Sequence, residues 1–338
     1  MIEVHTGPDY SGLSEWLKGA RRIGLVSHLN PDGDAVGSLI GLTTALEMAH
    51  FECVALVPNA YPDSFRRLPG IEKIRVFDRE SEALLRELET CDRLLTLDFN
   101  RLDRAGERLG EWFEQSAIPK GMIDHHEQPA DYAAWRCWET AAPSTCELVW
   151  ACLKNEGWHT ALPAFAAQWL YVGMVTDTGS FRFPSVRPQT HHTAADLLAL
   201  GARPEVVHQA LFEGDSPRRL RLFGAAYQTF EVWDAHRTVV FRLEEAQLVE
   251  QGYEKGDTEG LVNMGLTLEG MELSAFFVIR EGKGKVSLRS KGDRDVNALA
   301  AALYRGGGHR NAAGGSFDGS IDAAIAALKS HLDQSLAS

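Results

Sequence analysis

No stretch of the sequence stays apolar long enough to span a bilayer. Met1 to Tyr10 lacks the basic start and apolar core of a signal peptide, so a cytoplasmic protein is expected. Cysteine is scarce: Cys53, Cys91, Cys137, Cys146 and Cys152 are an odd number and contain no Cys-x-x-Cys pair. That argues against a disulfide framework and against a thiolate zinc site. Positive charge is also short, with 34 Lys and Arg against 47 Asp and Glu and a net charge of −13. Binding to long nucleic acid by counterion release needs a clustered basic track, so long duplexes are not expected partners, whereas a small anion met by local cations is. No internal repeat or low-complexity tract interrupts the 338 residues, and 44% apolar with 24% charged residues allows two domains with a core each.

The chemistry begins in the stretch Leu25 to Leu39, which crowds His28, Asp32 and Asp34 into one turn. Ile23 to Val26 reads as a buried strand. Ala35 to Met48 carries Val36, Leu39, Ile40 and Leu46 on one helical face. The polar residues thus lie where a strand hands over to a helix, the place where open α/β sheets bind ligands. Carboxylate oxygen with imidazole added is a donor set for hard or manganese-like cations. The same turn also has a plainer reading, with Asn30-Pro31-Asp32-Gly33 as an ordinary turn and Asp34 as a helix cap. Further donors have to come from elsewhere in the chain.

They do so in a regular pattern. Aliphatic runs at Cys53 to Val57, Ile74 to Phe77, Leu94 to Leu97 and Met122 to Ile123 alternate with helical spacing at Glu80 to Glu89 and Arg101 to Gln115. This predicts a parallel sheet with helices on both faces. Asp98 follows one strand and Asp124-His125-His126 another. An apolar helix, Pro163 to Thr176, ends at Asp177-Thr178-Gly179. A carboxylate at a helix carboxyl end is mildly unfavourable unless a cation is near.

In order and spacing, His28-x-x-x-Asp32-x-Asp34, Asp98, Asp124-His125-His126 and Asp177-Thr-Gly resemble the four motifs of the DHH phosphoesterase superfamily. Arg305-Gly306-Gly307-Gly308-His309-Arg310-Asn311-Ala312-Ala313-Gly314 is similar to the glycine-rich signature of the domain that accompanies many of its members. The two-domain layout is most similar to the bifunctional oligoribonucleases and adenosine 3′,5′-bisphosphate (pAp) phosphatases. Exonucleases of the superfamily usually carry a further oligonucleotide-binding domain, and its membrane-tethered cyclic-dinucleotide phosphodiesterases carry transmembrane segments.

The resemblance implies one metal held by His28, Asp32 and Asp98 and a second by Asp34, Asp98, His125 and Asp177, with Asp98 as the bridge. Two cations about 4 Å apart can generate a nucleophile and neutralise phosphoryl charge. Two Mn²⁺ ions are expected, with Mg²⁺ or Co²⁺ as substitutes. Asp124 is expected to orient an imidazole, and His126 to contact the scissile phosphate or protonate the leaving group. Arg289, Gly306, Gly307, Gly308 and His309 are expected to grip a phosphate, the glycines through backbone N–H groups.

The expected layout is a catalytic domain over residues 1–195, a helical linker over 196–230 and a smaller α+β domain over 231–338. In that second domain Arg237 to Leu243, Leu273 to Arg280 and Lys285 to Ser290 read as strands, with a turn at Glu281-Gly282-Lys283-Gly284. Substrates implied are short oligoribonucleotides and nucleoside bisphosphates, with no membrane partner and a homodimer through the first domain. A soluble phosphodiesterase for linear or cyclic dinucleotides is the alternative. A catalytically silent nucleotide-binding protein is disfavoured, because every expected ligand is present. Trp135, Trp138, Trp150, Trp158 and Trp169 suit a core or an interface equally.

Overall fold

The computed structural model describes residues 10–213, 215–254 and 256–337. It divides into two compact units, residues 1–213 and 214–338. The first runs α1 (Leu13–Trp16), β1 (Arg22–Val26), α2 (Gly33–Met48), β2 (Glu52–Val57), β3 (Arg75–Val76), α3 (Phe77–Leu88), β4 (Arg93–Leu97), α4 (Glu107–Gln115), β5 (Lys120–Asp124), β6 (Trp135–Trp138), α5 (Thr145–Asn155), α6 (Ala164–Asp177), α7 (Pro188–Ala199) and α8 (Pro204–Phe212). Its six strands are all parallel, in the order β3-β2-β1-β4-β5-β6. The order reverses between β1 and β4, and ligands of such sheets bind in the crevice beyond the strand ends at that switch point.

Both faces of the sheet are covered, as the near-continuous apolar strands require. Ile23, Leu25, Leu95, Leu97 and Ile123 point to a core shared with α2, α5 and α6. Val26, Val54, Leu56 and Leu94 point the other way, to Leu84, Leu88, Leu109 and Phe113 of α3 and α4. Helices α2 and α6 are buried on nearly all sides, and they approach closely because glycines line the seam. A Cβ at Gly37 would lie 2.3 Å from the Trp169 carbonyl oxygen, and one at Gly41 would lie 2.4 Å from the Leu170 side chain. Trp150 and Trp169 are core residues, whereas Trp135 is half-buried and stacks on Trp16.

The second unit runs α9 (Pro217–Gln228), β7 (Glu231–Trp233), β8 (Thr238–Leu243), α10 (Glu245–Glu250), α11 (Leu261–Met264), β9 (Leu273–Arg280), β10 (Lys283–Ser290), α12 (Val296–Leu303), β11 (Gly307–His309), β12 (Ala312–Phe317) and α13 (Ile321–Ala337). Its sheet order is β11-β12-β10-β9-β8-β7, antiparallel except for the parallel pair β8 and β9. One face packs on Val296, Ala300, Ile325 and Leu328 of α12 and α13. The other packs on Leu222, Leu248 and Leu261 of α9, α10 and α11. An α/β parallel-sheet domain followed by a mixed α+β domain is the expected fold class.

The details differ in places. Phe77 opens α3 rather than closing β3, because its ring belongs to the core under that helix. Residues 196–230 form no separate linker: Leu197, Val207 and Ala210 join the first core, and Leu222 and Ala226 of α9 join the second. The β9–β10 turn is two residues, Glu281 and Gly282, both left-handed with φ of 50° and 69°, so β10 begins at Lys283. No described helix is long and apolar enough to cross a membrane.

Candidate metal centre

Three strand ends, the start of α2 and the end of α6 converge at the switch point. His28 lies two residues beyond β1, Asp98 one beyond β4, and Asp124, the last residue of β5, leads into His125 and His126. Asp98 is held in a left-handed conformation, φ 66°, with its N–H donating to the Ile123 carbonyl at 3.0 Å. Aspartate tolerates that region better than most side chains, and the cost, of order 1 kcal/mol, is typical of a functional position.

Two clusters of donor atoms result, His28–Asp32–Asp98 and Asp34–His125–Asp177, and a third groups Asp98 with His125 and His126. His28 Nε2 lies 3.3 Å from Asp98 Oδ2 and 3.9 Å from Asp32 Oδ1. His125 Nε2 lies 3.5 Å from Asp98 Oδ1, 3.4 Å from Asp177 Oδ2 and 3.9 Å from Asp34 Oδ2. Asp98 therefore stands between the two imidazoles. Each ring is fixed by its other nitrogen, His28 Nδ1 at 2.9 Å from the Leu29 carbonyl and His125 Nδ1 at 3.1 Å from the Ala142 carbonyl. With Nδ1–H donating to those carbonyls, both Nε2 atoms face the carboxylates, the edge that ligation would use.

The capping role falls on Asp32, whose Oδ1 accepts from the N–H groups of Asp34 and Ala35 at 3.0 Å each. Asp34 is fully buried and belongs to the site. Its two oxygens accept the N–H groups of Thr145 at 2.6 Å and Cys146 at 2.9 Å, at the N-terminus of α5. The Thr145 hydroxyl donates to Asp98 Oδ1 at 2.9 Å. Neither Thr145 nor α5 was apparent from the pattern of strands. The available signal was Ser144-Thr145-Cys146-Glu147 before an apolar run, and Ser144 Oγ indeed accepts from the Glu147 N–H.

The electrostatics of the cluster fit a cation. Burial, reinforced by the Asp98 charge, pushes the Asp34 carboxyl up to about 8. Burial together with Asp34 and Asp98 raises Asp177 well above the usual carboxylate range. Burial opposes the charge on Asp98 as well, yet hydrogen bonding to His125 and His28 holds that carboxyl well down. Burial likewise works against a charged His125, which Asp98, Asp34 and Asp177 carry up to about 10. The crevice thus gathers more negative charge than its own imidazoles balance. Cys146 adjoins Asp34, but burial keeps its thiol protonated, so the donor set is oxygen and nitrogen only. Such a set suits Mg²⁺ and Mn²⁺ better than a thiolate metal.

Asp124 is fully buried; its Oδ1 lies 2.8 Å from His126 Nδ1, while its Oδ2 has no partner among the described residues. That leaves the Nε2 edge of His126 available. Arg289, in the second unit, is half-buried and donates to the Leu288 carbonyl. Burial lowers its pKa.

Two of the three glycines have a packing role in the hairpin. Gly306 and Gly308 have no room for a Cβ, which would lie 2.0 Å from the Gly314 oxygen and 2.5 Å from the Ala312 oxygen. Their N–H groups already donate to Ala300 O and Asn297 Oδ1. Close backbone approach in the β11–β12 hairpin thus requires both, and only Gly307 stays exposed without such a clash. The His309 side chain lies outside the described residues.

Thr145→Val keeps the N–H to Asp34 and removes only the hydroxyl to Asp98. Calorimetric titration with Mn²⁺ should show affinity falling about tenfold or more, with Thr145→Ser close to the parent. Equal affinities in Thr145→Val and the parent would refute the positioning role.

Residues 22–174 match the family model for the DHH family, N-terminal domain, and residues 238–336 match that for the DHHA1 domain. A "bifunctional oligoribonuclease and PAP phosphatase NrnA" from Thermus thermophilus is 30% identical over 87% of this chain and 84% of its own length. A "cyclic-di-AMP phosphodiesterase GdpP" from Geobacillus thermodenitrificans is 27% identical over 89% of this chain and 45% of its own length. Among solved structures, an exopolyphosphatase-related protein from Bacteroides fragilis superimposes with a TM-score of 0.90 at 32% identity, covering 96% of this chain and 95% of that one.

Proposed function

Because the chain belongs to the DHH family and carries the DHHA1 domain as well, we propose that it is a divalent-cation-dependent phosphoesterase. In this reading it degrades short oligoribonucleotides to mononucleotides and dephosphorylates adenosine 3′,5′-bisphosphate to AMP. The observation that carries the proposal is the pair of donor clusters meeting at Asp98, together with the likeness to an oligoribonuclease and PAP phosphatase over most of both chains. His28, Asp32 and Asp98 would hold one cation, and Asp34, Asp98, His125 and Asp177 the other, with Mn²⁺ favoured by the donor chemistry. Bound there, cations supply nucleophile generation from water and neutralisation of phosphoryl charge.

The chain's own residues do the rest. Asp32, Asp34 and Asp177 fix the flanks of the crevice, and Asp98 fixes its centre. His126 Nδ1 lies 2.8 Å from Asp124 Oδ1, a contact that orients the ring. Its Nε2 can then deliver a proton to the leaving oxygen, as a general acid must. Arg289, in the second unit, is proposed as a phosphate ligand through its guanidinium N–H groups.

The test is hydrolysis of a labelled ribodinucleotide and of adenosine 3′,5′-bisphosphate with Mn²⁺. Cleavage of both, silenced by a chelator and restored by Mn²⁺, is expected. Cleavage of the dinucleotide alone would favour the linear or cyclic dinucleotide phosphodiesterase, the reading that the likeness to a cyclic-di-AMP phosphodiesterase supports. Cleavage of neither would overturn both.

A further inference from the structure

Immediately beyond Asp177 the backbone does something costly. Gly179, Ser180 and Phe181 are consecutive left-handed residues, with φ of 56°, 60° and 62°. Glycine adopts that region freely, but serine and above all phenylalanine do not, at about 1–2 kcal/mol per residue. Such strain persists only where surrounding contacts over-determine it. Here the Ser180 N–H donates to Val175 O at 2.8 Å, the Phe181 N–H to Thr178 Oγ1 at 2.9 Å, and the Arg182 and Phe183 N–H groups to Thr178 O at 2.9 and 3.1 Å. The Phe181 ring is wedged between Tyr171 and His191. All of these bonds anchor the turn to the last turns of α6 and to Thr178, the residue next to Asp177.

What the turn presents is the ring of Phe183. It lies so close to Gly179 that a Cβ there would meet three of its carbons at 2.5 to 3.1 Å, yet the residue remains 49% exposed. A half-exposed aromatic ring, its backbone tied to Thr178, lies against the residue two positions from Asp177. The phosphate in the crevice would carry a nucleoside, and every nucleobase has a face that stacks on such a ring. Inorganic polyphosphate and pyrophosphate have none.

We infer that Phe183 is the stacking platform for a nucleobase of the substrate, so that the site selects nucleotides over base-free phosphoesters and phosphoanhydrides. The inference rests on the phosphoesterase reading above and adds the group that recognises the base. The strained turn then has a purpose: it brings the ring back over Gly179 instead of letting the chain run on from α6.

The experiment compares the parent, Phe183→Ala and Phe183→Trp on a ribodinucleotide and on two analogues lacking the base at one end or the other. Alanine is expected to raise KM for the dinucleotide about tenfold or more, with the larger share of the loss in KM rather than kcat. The parent's preference for the dinucleotide over one of the two abasic analogues should collapse by a similar factor, and tryptophan should keep it. Equal losses on all three substrates would mean a structural role and overturn the inference, as would an unchanged KM in Phe183→Ala. If the parent cleaves no nucleotide at all, the phosphoesterase reading itself fails.

Discussion

Asp98→Ala is expected to lower kcat on every phosphoester the protein accepts by about a thousandfold or more, equivalent to about 4 kcal/mol of barrier, and to weaken cation binding in both clusters together. His28 and Asp32 lie on one side of the crevice and Asp34, His125 and Asp177 on the other, whereas Asp98 faces His28 through one oxygen and His125 through the other. No neighbour can replace it. Asp124 is committed to His126, Asp34 is turned towards the α5 N-terminus, and the Asp98 backbone is set in a left-handed conformation that aims this one side chain into the crevice.

The same variant separates a metal site from a buried ion-pair network. Were the cluster purely structural, deleting its most connected carboxylate would strand two imidazoles and the Thr145 hydroxyl, and melting temperature would fall sharply. In a cation site the crevice without metal is already crowded with carboxylates, as the raised Asp34 and Asp177 indicate. Removing Asp98 relieves Asp34 and Asp177, which offsets part of what the two imidazoles lose with their partner, so the fall in melting temperature is smaller than in a balanced ion-pair network. The parent should gain about 2.7 kcal/mol at a cation concentration a hundred times Kd, which is several degrees of melting temperature. Asp98→Ala should lose most of that gain. Asp98→Asn, which keeps an acceptor for Thr145 Oγ1, should be as inactive as alanine. A variant with more than about a tenth of parental activity would overturn the central role of Asp98.

Much of this centre was legible because its residues sit at ends of elements with strong patterns. An aliphatic strand is recognised by composition, and an Asp or His directly after it is placed by the strand whatever the tertiary structure. Residues that act from elements with weak patterns were not. Strand β6 is Trp-Arg-Cys-Trp, four residues at the sheet edge, with too few positions to establish a period. Helix α5 is buried along most of its length, so it lacks the polar face that marks an amphipathic helix, and Thr145 went unnoticed with it. The glycine run carries a requirement of a different kind. Sequence shows that a side chain is absent but not what occupies the space, and at Gly306 and Gly308 it is the backbone of the next strand.

Gly173→Ala is the second variant with a large expected effect, and local propensity predicts the opposite sign. Gly173 lies inside α6 with ordinary helical geometry, where alanine is favoured over glycine by about 1 kcal/mol. The space decides otherwise. A Cβ at this position would lie 2.3 Å from Cys146 Sγ, 2.6 Å from Asp34 Oδ1 and 2.9 Å from Asp34 Cα. Relief requires moving either α2, which carries Asp34, or the start of α5, whose N–H groups hold it. Overpacking of this kind costs about 1–3 kcal/mol, and a ligand displaced by even 1 Å can cost about a hundredfold in rate. The variant should therefore melt several degrees lower and, assayed well below that transition, lose about a hundredfold in kcat together with Mn²⁺ affinity. Gly41→Ala is the control: its Cβ meets only the Leu170 side chain on the same helix seam, so stability should fall while kcat stays within a few-fold. Equal activity losses in the two variants would place the effect in helix packing at large; a loss confined to Gly173→Ala would place it in the position of Asp34.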